Sequence, residues 1–138
     1  MKINAYLNFD GSCRDAMTFY AEVLGGKLSS LLSFEEGGAG EHVPPEFKQA
    51  VMHACLEVGD QIIMASDAPP GMYEKAQGTS VCLHPDSIAD TERIFAALAT
   101  DGKQIMPLAE TSWAERYGIV TDRFGTPWML NFTGKYGA

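Results

Sequence analysis

The chain has 138 residues, 46% of them hydrophobic and 20% charged. This mix excludes a disordered chain and predicts one soluble globular domain with a core that needs no disulfide or structural metal. Asp and Glu number 18 against 10 Lys and Arg, and the net charge of -8 repels phosphate backbones, so nucleic acid is excluded as a partner.

No apolar run approaches the roughly 18 residues of a membrane span, so no membrane partner is expected. Polar residues follow Met1 too soon for a signal peptide. Cys13, Cys55 and Cys82 are odd in number and widely spaced, without a Cys-x-x-Cys pair. That usage predicts a reducing, cytoplasmic setting and three small buried thiols.

Ile3, Ala5, Leu7 and Phe9 alternate as one face of a first strand, which Asp10-Gly11 breaks. Ser12 then reads as a helix N-cap with Asp15 completing a capping box. The apolar stripe Ala16, Phe19, Tyr20, Val23 and Leu24 runs at helical spacing until Gly25-Gly26. Residues 27–34 read as a strand. Residues 35–48, rich in Gly, Pro and acid, form a connection long enough to be a lid or binding loop. Residues 49–58 and 61–66 form a hairpin around Gly59-Asp60, and residues 67–78 read as a linker.

The second half repeats this plan. A strand over 79–83 precedes a cap at Asp86-Ser87 and a helix with Ile88, Thr91, Ile94, Phe95 and Leu98 on its inner stripe. Asp101-Gly102-Lys103 ends that helix, and a strand over 104–108 is expected to stop near Pro107. Residues 117–122 and 127–132 form a last pair around Arg123-Phe124-Gly125-Thr126. Sliding one half over the other puts Phe19 on Phe95 and Gly26-Lys27 on Gly102-Lys103. The predicted fold class is therefore α+β, with two tandem βαβββ modules forming a curved half-barrel sheet. Module 1 covers about 1–67, a linker 68–78, and module 2 about 79–135, within a single domain over 1–138. A helix covers one face of each sheet, so the other face is expected to line a central cavity.

The chain resembles the vicinal oxygen chelate superfamily, which includes glyoxalase I, extradiol dioxygenases and the bleomycin- and fosfomycin-resistance proteins, and within it the PhnB-like branch. The resemblance rests on the run from Ala5 through Asn8-Phe9-Asp10-Gly11 to Ala16, and on Phe19-Tyr20, Val23-Leu24-Gly25-Gly26 and Met64-Ala65-Ser66-Asp67. It continues in Thr111-Ser112-Trp113-Ala114 and in the more specific Thr121-Asp122-Arg123-Phe124-Gly125-Thr126-Pro127-Trp128-Met129. It implies a glyoxalase-like fold. Enzymes of the superfamily hold a divalent metal with His, Glu or Gln on the first and last strands of each module. Aligned on the strand–helix landmarks, those places fall near Ala5, Met64, Thr79 and Met129, none of them a competent ligand. A one-residue slip brings Asn4, Tyr6 or Asn131. No metal is expected at the family position and no cofactor is predicted; a divalent ion is left open only elsewhere.

A methyltransferase name is attached to the PhnB-like branch. S-adenosylmethionine usually needs a glycine-rich turn between strand and helix, and Gly38-Ala39-Gly40 runs into Glu41-His42-Val43-Pro44-Pro45 instead. Among the histidines, His42 reads as a solvated loop residue and His84, before Pro85, as a solvent or cap contact. His53 shares a strand face with Cys55 and Glu57, and either bonds a core carbonyl or lines a pocket. Asp67 and Asp122 read as turn-capping carboxylates.

Trp128, Leu130 and Phe132 face opposite to Met129 and Asn131. Trp113 either packs at an edge or, beside Arg116 and Tyr117, walls a ligand. The expected ligand-binding residues are His53, Met64, Trp113, Met129 and Asn131, a soft lining suited to a small organic molecule. Two functions follow as expectations. One is a small-molecule-binding protein without the usual metal ligands. The other is a glyoxalase- or lyase-like enzyme using a displaced divalent metal or His53 acid–base chemistry. A homodimer is the expected assembly.

Overall fold

In each half of the chain one amphipathic helix lies on a four-stranded sheet. The computed structural model describes residues 1–137, which divide into two units, Met1–Glu74 and a second beginning at Lys75. The first contains β1 (Ala5–Phe9), α1 (Cys13–Leu24), β2 (Lys27–Ser33), β3 (Val51–Val58) and β4 (Gln61–Asp67). The second contains β5 (Val81–Leu83), α2 (Ile88–Ala99), β6 (Lys103–Ala109), β7 (Arg116–Thr121) and β8 (Pro127–Phe132). The sheet orders are β1-β4-β3-β2 and β5-β8-β7-β6, each with one parallel pair, β1–β4 and β5–β8. The tandem βαβββ plan read from the sequence is thus the observed one. None of the described helices is long and apolar enough to cross a membrane.

The strand period of two sorts each sheet into a helix-covered face and a helix-free face. In the first unit Ala54, Leu56, Ile63 and Ala65 are buried towards α1. In the second, Val120, Trp128 and Leu130 are buried towards α2. Fully burying a side chain such as Leu56 contributes roughly 1.5–3 kcal/mol relative to leaving it in water.

The α1 stripe is rotated from the predicted one. Cys13, Ala16, Met17, Tyr20 and Val23 are buried, while Phe19 and Leu24 are only half-buried. The cause is a tie at the helix start. The Cys13 backbone N–H donates to Asp67 Oδ1 at 3.0 Å, and Ser12, the expected cap, makes no side-chain cap bond. Holding Cys13 against the end of β4 turns residues four and seven further on, Met17 and Tyr20, inward. In α2 the local reading holds, since the Ser87 hydroxyl accepts from the Asp90 N–H at 3.0 Å.

The repeat is also one residue out of step between helices and strands. Buried Tyr20, not Phe19, is the counterpart of buried Phe95 when the helix starts Cys13 and Ile88 are matched. The connector Thr100-Asp101-Gly102 is one residue longer than Gly25-Gly26 and restores the strand register. Gly26 and Gly102 are needed for close approach. A Cβ would lie 2.6 Å from the Glu57 carbonyl oxygen at Gly26 and 2.5 Å from that of Thr121 at Gly102.

Strand boundaries differ from expectation by one or two residues. Strand β6 runs through Pro107 to Ala109, because it is an edge strand whose pairing with β7 is irregular between Met106 and Ala109. Strands β3 and β5 begin at Val51 and Val81, two residues late in each case. The 35–48 connection carries short 3-10 helices at Gly40–His42 and Pro45–Phe47. Its ends are tied by the Glu35 N–H donating to the Lys48 carbonyl at 3.0 Å, and Phe34 packs on Phe47 with ring centroids 5.3 Å apart.

Candidate functional site

The residues singled out for ligand binding lie on the helix-free faces, in two groups. On the first sheet Met64 stands between Tyr6 of β1 and Cys55 of β3. Tyr6 reaches along this face, and its hydroxyl lies 3.1 Å from His53 Nδ1 with the rings 5.9 Å apart. His53 is half-buried and Tyr6 is 44% exposed. The pair leaves a proton to offer. If the phenol donates to Nδ1, the ring carries its hydrogen on Nε2; if Nδ1 donates, the phenol O–H is available. His53 shares this face with Cys55 and Glu57 as expected, but the partner the fold gives it is Tyr6.

On the second sheet Met129 pairs with Cys82 on one side and Ile119 on the other, and Asn131 pairs with Tyr117. The Tyr117 hydroxyl donates to Met129 Sδ at 3.8 Å. Trp113, 52% exposed, stands edge-on to Tyr117 with centroids 5.1 Å apart. The Thr111 hydroxyl fixes its loop by accepting from the Trp113 and Ala114 N–H groups at 3.3 and 3.1 Å. Asn131 donates through Nδ2 to Thr133 Oγ1 at 3.0 Å. Arg116 does not join Trp113: it turns to the helix side, where its Nε donates to Glu92 Oε1 at 3.2 Å.

Tyr6, Tyr117 and Cys82 on these faces were not among the expected ligand-binding residues: Tyr6 entered only as a one-residue slip at the metal position and Tyr117 only as a neighbour of Trp113. Alternation along β1 carries a signal for Tyr6, since it is opposite in parity to Leu7 and Phe9. His84 is exposed, as expected of a solvent contact, and its Nε2 lies 3.5 Å from Cys82 Sγ. The three thiols differ in setting: Cys13 is buried, Cys55 half-buried and Cys82 exposed. Burial, reinforced by the Asp67 charge and offset by Arg14, pushes the Cys13 thiol up from the ordinary 9.0 to about 12. Partial loss of water also raises that of Cys82.

The metal positions implied by the resemblance can now be read on the strands. Ala5 pairs with Ile63 on the helix-covered face, so the β1 residue opposite Met64 is Tyr6. Thr79 precedes β5, and the residue opposite Met129 is Cys82. The slip has a simple cause: one residue along a strand reverses the face. Phenol, thioether, thiol and thioether do not fit a divalent ion that takes imidazole and carboxylate. Among the described residues no three His, Cys, Asp or Glu side chains gather as a metal-holding group.

Both buried carboxylates named in the sequence hold backbone. Asp67 accepts from the Cys13 and Val51 N–H groups, at 3.0 and 2.9 Å. Asp122 accepts from the Phe124 and Thr126 N–H groups, at 2.8 and 3.1 Å, and from Trp128 Nε1 at 2.8 Å.

Residues 1–131 match the family model described as 3-demethylubiquinone-9 3-methyltransferase. The chain belongs to this family. Protein YjdN of Escherichia coli K12 is 35% identical over 95% of both chains. The crystal structure of protein PA1353 from Pseudomonas aeruginosa is 45% identical, covers 96% of this chain and 97% of its own, and superposes with a TM-score of 0.87. The PhnB protein from Bacillus cereus is 25% identical over 96% of this chain and 99% of its own, with a TM-score of 0.79. At 10% identity and a TM-score of 0.62, the fosfomycin-resistance protein FosX from Mesorhizobium loti shows the fold alone, covering 100% of this chain and 92% of its own. The chain is a PhnB-like member of the vicinal oxygen chelate superfamily, with its tandem-module glyoxalase-like fold.

Proposed function

We propose that this PhnB-like chain is a small-molecule-binding protein of the glyoxalase/bleomycin-resistance type that works without the superfamily's divalent metal. The observation carrying this reading is the chemistry of the helix-free faces. Thioether, indole and phenol dominate them, and few polar groups stand ready to orient a ligand. The ligand class is a small organic molecule, aromatic or otherwise apolar, that accepts or donates one or two hydrogen bonds. The same reading takes the protein as a cytoplasmic homodimer without nucleic-acid or membrane partners. Its net charge of -8 and its three unpaired cysteines support that setting.

The methyltransferase description is less well supported. The usual fold for S-adenosylmethionine is a doubly wound parallel sheet, whereas each sheet here has a single parallel pair.

The test is a thermal-shift screen of phenols, quinones and aromatic acids, with S-adenosylmethionine alongside, followed by titration of Trp113 fluorescence. A saturable stabiliser, weakened at least tenfold by W113A in the thermal-shift titration, is the expected result. Stabilisation by S-adenosylmethionine alone would overturn it, as would a screen in which no compound raises the midpoint. The Tyr6–His53 contact favours a second reading, in which His53 exchanges a proton with the bound molecule. Turnover of a screened ligand that is lost in H53A and reduced in Y6F would establish this reading over binding alone.

A further inference from the structure

On the second sheet Cys82 and Met129 share one face, and His84, one residue past the end of β5, reaches Cys82. We propose that Cys82, His84 and Met129 form a site for a soft monovalent cation of the Cu(I)/Ag(I) class. This site lies within the second unit and does not depend on the small-molecule reading.

The register places Cys82 directly opposite Met129 on adjacent parallel strands, about 4.8 Å apart in backbone spacing. Cys82 Sγ and His84 Nε2 stand 3.5 Å apart. Bonds of about 2.3 Å to sulfur and about 2.0 Å to nitrogen subtend that separation at roughly 110°, so both donors can hold one ion without moving apart. Met129 Sδ is fixed by the Tyr117 hydroxyl, which uses one sulfur lone pair and leaves the other free.

The donor set selects the ion. Thiolate and thioether prefer soft cations, whereas Zn(II) takes three or four Cys, His or carboxylate ligands and only two such groups, Cys82 and His84, stand together here. No group of three His, Cys, Asp or Glu that could hold a metal occurs among the described residues. On binding, the Cys82 S–H bond breaks, the sulfur–metal bond forms, and the proton leaves to solvent.

Cys55 and Met64 form a similar cross-strand pair on the first sheet, but the neighbouring His53 is engaged with Tyr6. This makes Cys55 the internal control. The experiment is anaerobic Cu(I) titration of the full chain against bathocuproine disulfonate, with folding of each variant checked by its urea midpoint. Wild type and C55S are expected to retain one Cu(I) against the chelator. C82S should lose it, and H84A and the near-isosteric M129L should weaken it about tenfold each. Failure of wild type to hold Cu(I) overturns the site, as does retention by C82S or unchanged affinity in either H84A or M129L.

Discussion

The two units share a strand order but use their buried carboxylates differently. In the first, Asp67 sits at the end of β4 and joins the start of α1 to the start of β3. In the second, α2 is capped locally by Ser87, and Asp122 holds the β7–β8 turn together with the Trp128 indole. The contrast teaches that one βαβββ plan can be fastened by a long-range tie or by two local ones. It extends to the helix-free faces: the first pairs a phenol with an imidazole, and the second gathers thiol, thioether and indole.

The largest effect expected from breaking this contrast is at Asp122. Its replacement by alanine removes the acceptor of two backbone N–H groups and an indole N–H, at roughly 1.5 kcal/mol each, so D122A should lose about 4.5 kcal/mol by urea denaturation. D67A strands two and should lose about 3 kcal/mol. A loss for D67A below that of S87A would sink the long-range tie. S87A itself should cost about 1 kcal/mol, and S12A close to nothing, since only Ser87 makes a side-chain cap bond.

A pH series sharpens the first unit further. The Cys13 thiol is raised in the folded state, so its contribution is fully present below the unfolded value near 9.0 and is lost as pH climbs towards about 12. In that window it should add a decline of up to roughly 1.4 kcal/mol per pH unit, relative to C13A. Parallel stability curves for wild type and C13A above pH 9 would contradict it. The gentlest comparison is chemical. A thiol reagent should label exposed Cys82 in the native protein and reach buried Cys13 only on unfolding, as mass spectrometry would read.

Much of the fold was legible because it rests on short-range pattern. The two helices, the Gly59-Asp60 hairpin and the opposed faces of Trp128 and Met129 follow from spacing alone. The candidate residues were legible as a face but not as a constellation. Tyr6 and His53 are 47 positions apart, and Cys13 and Asp67 are 54. No local window contains either pair.

What the amino-acid order determined by itself was the repeated βαβββ plan, because periodicities of two and 3.6 and glycine breaks are properties of neighbouring residues. Tertiary structure alone decided which residue caps α1, that Tyr6 rather than Ala5 stands beside Met64, and that Pro107 lies within an edge strand. Each depends on strand register, where a shift of a single residue reverses every side chain, and register is set only when distant segments pair.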